Sequence, residues 1–416
     1  MLGVGIDWAE DADQVALGRP GQGVIEEFSI PHRPEAVARL IERISLLEAD
    51  PAEVRVALET KHGHLVEALV EAGYAVVPVN PDLVARRRGP ARKKDDPEDA
   101  RILCLLAMDR HSVLRPLVPH GEAAAELRAI ARDDERASRD ERRLLNRLRA
   151  DLIAAYPEAL AFAGEDLGAP TFLQVLARYP TAEEARAATD AELEALFRGA
   201  KHGWPDRTVR RLREALGSSQ FVPKPYLVRA KADTIRLGAT QLLVIGAQRR
   251  AWERRMGQLL FTLPATGGDV KGQAVPDGEI HLSFPGLGRR LAARVAGEIG
   301  DHPEQFSTPN SLQCYGGKAP VTRRSGKSEF VVSSRLACNR HLANAVQQWA
   351  FCSLIRSGWA REFYDAQRVR GKTHHAALRA LGNRWLEVLW HCLRKGVRYE
   401  EAVHVENRRR ALERAA

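Results

Sequence analysis

Two short, mostly apolar runs each close on a carboxylate: Leu2-Gly3-Val4-Gly5-Ile6 runs into Asp7, and Val54-Arg55-Val56-Ala57-Leu58 runs into Glu59. Runs of this length read as strands covered on both faces, the pattern of a parallel sheet. Adjacent parallel strands set their terminal acids side by side at one end of the sheet. Such carboxylates repel one another unless a cation is expected there.

The surrounding pattern completes a domain. Residues 2–7, 13–19 and 24–30 read as strands joined by turns, followed by a helix from 35 to 47. A second round gives a strand over 54–58, a helix over 63–72 and a strand over 74–79. The order β-β-β-α-β-α-β, then a helix, is that of an RNase H-like α/β sheet, with the strands ending at Asp7, Glu59 and near Asn80 parallel.

The last helix begins in Lys94-Asp95-Asp96-Pro97-Glu98-Asp99-Ala100. Taken singly, Asp96 is a helix cap before Pro97, and Asp99 favours the helix dipole. Taken with Asp7 and Glu59, the acids converge. Asp96 and Asp99 share a helix face, as would Asp95 and Asp99, so Asp95 stays open as the register alternative. Four such carboxylates suit two Mg²⁺ ions about 3.5–4 Å apart, the arrangement of phosphodiester chemistry.

Charge points to the same substrate. The chain carries 63 Lys and Arg against 54 Asp and Glu, a net charge of +9, so its acidic cluster stands out in a cationic protein. Metal ions acting on nucleic-acid phosphate fit that contrast. The run Arg86-Arg87-Arg88-Gly89-Pro90-Ala91-Arg92-Lys93-Lys94 reads as a loop that grips phosphate. No apolar stretch approaches the roughly 18 residues of a membrane span, and no charged leader precedes an apolar core. A cytoplasmic protein, nucleoid-associated when acting and without membrane contact, is expected. Five cysteines without a C-x-x-C pair argue against a zinc or disulfide framework.

At 416 residues, two or three domains are expected. The reading is 1–118 for the α/β domain, 119–264 for a long helical or coiled-coil region, and 265–416 for a mainly α domain. A helix from Glu122 to Ala155 carries one apolar seam among arginines, as a nucleic-acid-facing or a dimer helix. Small helices fill 165–222, and a long helix runs from Pro225 to Leu260. Pro264 to Gly278 reads as a linker. Pro285-Gly286-Leu287-Gly288 before a helix resembles a helix-hairpin-helix turn that offers backbone N–H groups to phosphate. Trp349, Trp359, Trp385 and Trp390 read as core, and His374-His375 as a helix start.

Together, Gly5-Ile6-Asp7, Ala57-Leu58-Glu59, Asn80-Pro81 and Lys94-x-Asp96-x-x-Asp99-Ala100 resemble the DEDD-type insertion-sequence recombinases. The C-terminal set Pro285-Gly286-Leu287-Gly288, Phe306, Tyr315-Gly316-Gly317-x-Ala319-Pro320 and Ser325-Gly326-Lys327 resembles the same family. The resemblance implies a RuvC-like N-terminal domain with Mg²⁺ held by Asp7, Glu59, Asp96 and Asp99. It also implies a C-terminal transposase domain whose Ser325 forms a covalent link to DNA, and an active site composed from both domains. Its implied partners are donor and target DNA, a guide or bridge RNA, and further copies of the chain as a dimer or tetramer. Three departures stand out: Asp95 where the family has Thr, Pro97 after the aspartate, and a loose match over Ser334–Arg340.

Around Ser325, Arg323, Arg324 and Lys327 lie within reach of a phosphate, and Arg335 and Arg340 follow as backbone contacts. Arg-Ser-Gly-Lys is also the common chemistry of a solvated hairpin turn, with Ser328, Ser333 and Ser334 as neighbouring hydroxyls. A junction-resolving nuclease using water, and a non-catalytic nucleic-acid scaffold, are the competing functions. A sugar or acetate kinase fits poorly, because Trp8-Ala9-Glu10 lacks the phosphate-binding turn that would follow Asp7.

Overall fold

The computed structural model describes residues 1–8, 11–60, 63–88, 96–109, 114–218, 222–268, 275–325, 328–332, 335 and 337–415. They form two compact units, Met1–Pro119 and His120–Ala416.

The first unit is built on a five-stranded sheet of order β3-β2-β1-β4-β5. Its strands are β1 (Leu2–Asp7), β2 (Ala12–Arg19), β3 (Gly23–Pro31), β4 (Val54–Leu58) and β5 (Ala75–Pro78). β1, β4 and β5 run parallel, and β2 and β3 are antiparallel. The apolar runs thus fold as their composition requires: β1, buried along its whole length, is the central strand.

Helices α1 (Pro34–Leu47) and α2 (His64–Glu71) cover one face. Leu40, Ile44, Val66 and Leu69 pack there on Leu2, Val4, Ile6, Val54, Val56 and Leu58. Side chains alternate along a strand, so Gly3, Gly5, Asp7 and Ala57 take the other face. A short helix, α3 (Pro81–Arg87), follows β5, and α4 (Asp96–Met108) lies across that second face. The phosphate-gripping loop expected over 86–94 needs correction. Asn80 accepts a hydrogen bond from the Asp82 N–H and Pro81 takes the first helical position, so Arg86 and Arg87 end a helix. Arg92, Lys93, Lys94 and Asp95 lie outside the described residues.

The second unit hangs on two long helices, α5 (Glu122–Ala155) and, further along, a partner of 38 residues. Between them come α6 (Pro157–Ala163), α7 (Pro170–Arg178), α8 (Ala182–Ala187), α9 (Asp190–Gly199) and α10 (Pro205–Ser218). The partner is α11 (Pro225–Thr262). Arg255 pairs with Glu126 at 2.7 Å, Arg249 with Asp134 at 2.9 Å and Lys231 with Asp151 at 2.6 Å, which makes α5 and α11 antiparallel. One end of this pair packs into a core with α6 to α10, around Tyr156, Phe172 and Phe197.

The other end packs against α12 (Asp277–Leu282), α13 (Arg289–Ile299), α14 (Pro309–Tyr315), α15 (Arg340–Ser353), α16 (Gly358–Val369) and α17 (His374–Lys395). Met256, Leu259, Leu260 and Leu263 share this core with Ile280 and Phe284, so it runs continuously across residue 264. The described ends of the expected linker over 264–278 are packed into the fold. Thr266 donates from its backbone and its hydroxyl to the buried Asp277 carboxylate, and a Cβ on Gly267 would strike the backbone of Leu393. A helix α18 (Glu401–Ala415) ends the chain.

Trp349 and Trp385 are fully buried and stacked at 5.2 Å, with Trp359 beside them. A two-stranded hairpin, β6 (Val321–Ser325) and β7 (Ser328–Val332), interrupts the region expected to be mainly α. His374 opens α17 and shares a 2.7 Å hydrogen bond with Tyr364.

Candidate active site

Strand phase sets the first two acids. Asp7 follows Gly3 and Gly5 on the α4 face of β1, and Glu59 follows Ala57 in the same phase at the end of β4. Ile6 is registered on Leu58, so Asp7 and Glu59 come next as neighbours at one sheet end.

Two glycines bring α4 onto that face. A Cβ on Gly5 would sit 2.9 Å from the Cys104 Cα and closer still to the Ala100 carbonyl. One on Gly3 would press on Met108 and lie 3.1 Å from the Cys104 carbonyl oxygen. Only a strand without side chains at both positions lets the helix backbone touch it. Because Gly3 meets the far end of α4 and Gly5 its middle, the helix start arrives over Asp7. Alternating glycines opposite small Ala100 and Cys104 were the sequence signal for this contact.

The result is a compact acidic cluster. One oxygen each from Asp7, Asp96 and Asp99 lies within 4.8 Å of the other two, the one such group of three acids, histidines or cysteines among the described residues. Asp7 is 6% exposed and Asp99 only 1%. The structure therefore includes Asp96 and leaves Glu59 outside the tightest group. Glu59 is still near, because its charge, with that of Asp7, acts on the Arg88 guanidinium. Three carboxylates are a hard oxygen donor set, which suits Mg²⁺ or Mn²⁺.

Arg88, assigned to a phosphate loop from the sequence, instead enters the cluster. It caps the C-terminus of α3, and its Nε and Nη2 donate to Asp99 Oδ1 and Oδ2 at 2.6 and 2.5 Å. This hydrogen bond above all, with the Asp99, Glu59 and Asp7 charges, holds the guanidinium more firmly protonated than usual, against a smaller opposing effect of burial. Arg86 and Arg87 stay exposed on α3.

Ser325 closes β6 and is registered opposite Ser328, the first residue of β7. Arg323 and Arg324 precede it in the strand; Lys327, Ser333 and Ser334 lie outside the described residues. Both feet of this hairpin are tied into the helical core. Before it, Lys318 is buried and donates to Gln347 Oε1 at 3.0 Å, and burial pushes its ammonium pKa down to about 8. After it, Asn339 caps α15 and donates to Glu298 Oε2 at 2.7 Å and to the Tyr315 hydroxyl at 2.8 Å.

Glu298 in turn takes a two-pronged contact from Arg132 on α5, at 2.6 and 2.9 Å. Burial alone would raise its pKa, but the hydrogen bonds from Arg132 and Asn339 outweigh burial and leave it lowered. Arg335 is half-buried, and Arg340 is exposed at the start of α15.

Residues 4–157 match the family model described as "Transposase" for DEDD-type members, and residues 279–365 match that of the "Transposase IS116/IS110/IS902 family". The chain is 34% identical, over 95% of both chains, to the "Mini-circle putative transposase for IS117" of Streptomyces coelicolor. The chain belongs to the IS110/IS116/IS902 transposase family.

Other relatives agree. The "Insertion element IS110 uncharacterized 43.6 kDa protein" of S. coelicolor is 30% identical over 77% of this chain and 76% of its own. The "Insertion element IS900 uncharacterized 42 kDa protein" of Mycobacterium paratuberculosis is 27% identical over 88% of this chain and 89% of its own. Membership makes the activity DNA transposition. The acidic cluster falls inside the first matched stretch and the serine hairpin inside the second. No helix among the described residues is long and apolar enough to cross a membrane.

Proposed function

We propose that this transposase cuts and exchanges DNA strands in a Mg²⁺-dependent reaction in which Ser325 becomes covalently attached to DNA, directed to its sites by a guide RNA. The observation that carries the proposal is the convergence of Asp7, Asp96 and Asp99 within 4.8 Å under the contact of α4 with Gly3 and Gly5. These three, with Glu59 at the edge, would hold the metal. When bound, Mg²⁺ supplies charge stabilisation to an oxygen that gains or loses a phosphate bond.

The Ser325 oxygen forms a bond to the phosphorus as the bond to one deoxyribose oxygen breaks. That oxygen leaves with the electron pair and ends with the proton the serine hydroxyl gives up. Phosphodiester energy is kept in the phosphoserine link, so a second strand's hydroxyl reverses the step and completes exchange. A net charge of +9 favours polyanion binding. Arg86, Arg87, Arg92, Lys93, Lys94, Arg323, Arg324, Lys327, Arg335 and Arg340 are the cations assigned to nucleic-acid backbone. The family resemblance supports an RNA partner, donor and target DNA, a dimer or tetramer, and action in the cytoplasm at the nucleoid. The three-part division at residues 118 and 264 belongs to the same reading.

Strand exchange between donor and target plasmids tests it. Asp7→Asn and Ser325→Ala should both abolish recombinant product, and ribonuclease treatment of the purified protein should do the same. Recombination that survives Ser325→Ala while Asp7→Asn is inactive assigns the attack to water. Recombination that survives ribonuclease removes the RNA from the reading.

A further inference from the structure

The acidic cluster already holds a cation of its own. Asp7 and Asp99 are both buried, and with Asp96 they present three carboxylates whose oxygens lie within 4.8 Å. Repulsion at that spacing, out of water, is tolerated only with positive charge close by. Arg88 supplies it through the fork to Asp99, with Asp7 and Glu59 also in range of its charge.

We propose that Arg88 is a tethered counter-ion that holds the place of the divalent metal: it offsets part of the cluster's negative charge in the metal-free protein, and metal occupancy requires its guanidinium to leave Asp99. The inference rests on the metal reading given above. Three features support it. The fork engages both oxygens of Asp99, the most buried member of the cluster, so a metal that recruits Asp99 contests both bonds. A divalent ion among these carboxylates would also stand beside a guanidinium of like sign, and each disfavours the other.

The third feature concerns anchorage. Arg88 holds its backbone as the cap of a helix of seven residues, while its side chain keeps 17% exposure. The competing arrangement is a permanent strut, in which Arg88 orients Asp99 while the metal uses the remaining lone pairs. The two make opposite predictions for metal affinity.

The test is Mn²⁺ titration of the full-length protein without nucleic acid, following free Mn²⁺ by electron paramagnetic resonance. Wild type, Arg88→Met, Arg88→Lys and Asp7→Asn are compared. Arg88→Met should bind at least roughly tenfold more tightly than wild type, the size of an effect when one competing charge is removed. Arg88→Lys, which keeps the charge and loses the fork, should fall between them. Mn²⁺ should also raise the melting temperature of Arg88→Met more than that of wild type.

Equal or weaker binding by Arg88→Met overturns the counter-ion role and identifies a strut. Asp7→Asn keeps the Arg88 to Asp99 pair and should lose Mn²⁺. Saturable binding in wild type that Asp7→Asn leaves unchanged refutes the metal reading, and so does its absence from every variant; either result removes the inference with it. Should circular dichroism show Arg88→Met unfolded, Arg88→Gln and Arg88→Lys carry the same comparison.

Discussion

Asp99 is 1% exposed and gripped by two hydrogen bonds from Arg88, whereas Ser325 ends a five-residue strand whose partner strand begins three residues later. The acidic centre is a product of layering: strand phase and two glycines force a helix start over a sheet end. The serine is instead carried on a short hairpin made definite by its feet, Lys318 on Gln347 and Asn339 on Glu298. The contrast matches what the proposed roles need. Several carboxylates must be held against their own repulsion by a rigid scaffold, while a serine proposed as the nucleophile needs a stable base and access to DNA.

Substitutions can break this contrast, beginning with the largest effects. Asp7→Asn and Ser325→Ala should each lower strand exchange by roughly 10²–10³-fold or more while leaving the fold intact. DNA binding measured by gel shift should survive Ser325→Ala. Loss of binding there would make the hairpin a docking element and erase the distinction.

Gly5→Ala probes the scaffold. The added methyl meets backbone atoms of α4 that cannot yield locally, so the N-terminal unit should lose about 1–3 kcal/mol of stability. Urea unfolding reads the loss, and exchange should drop with it although no carboxylate has changed. An unaffected midpoint would mean that α4 is not seated on β1 as described.

Glu59→Gln is a finer probe. Glu59 lies outside the group of three, so roughly a tenfold loss, well short of that of Asp7→Asn, is expected in the same exchange assay. An equal loss would make Glu59 a full ligand.

A last effect, on stability alone and only on acidification, concerns the core of the second unit. His281 is 2% exposed, donates from Nδ1 to the Asp277 carbonyl at 2.7 Å, and is held by burial at a pKa of about 4. Unfolded, it titrates near 6.5, so the unfolded chain takes up the proton first as pH falls. Stability from neutral His281 is complete above about 6.5 and is lost toward 4, amounting to about 2 kcal/mol by pH 5. Denaturant midpoints at pH 7 and 5 should differ less in His281→Gln than in wild type.

Much of the first unit was legible in the sequence because each level agreed. Apolar runs, their terminal acids and the Asp-Pro helix start all specify the same sheet end, and strand phase then selects its face. The pairing of Arg88 with Asp99 is not legible, because a basic run looks alike whether it meets phosphate or a carboxylate. Asn80-Pro81 is both a family motif and the cap that starts α3. The Arg-Ser-Gly-Lys turn is legible as a hairpin, whereas strands β6 and β7 are not, because Arg323, Arg324, Ser325 and Ser328 hide the alternation between Val321 and Phe330-Val331-Val332. The segment 264–278 looked like a linker because its Gly and Pro signal turns. Its glycines in fact permit close backbone contacts at Leu260 and Leu393, which no local pattern reveals.

In the proposed reaction the serine hairpin supplies the nucleophile and the acidic centre makes its attack possible. The most direct measurement combines the purified protein, its co-purified RNA, end-labelled target DNA and Mg²⁺, resolved by denaturing electrophoresis. Wild type should give a protein-linked DNA band that is absent in Ser325→Ala and in Asp7→Asn. A band that persists in Ser325→Ala would contradict it and move the nucleophile to another residue.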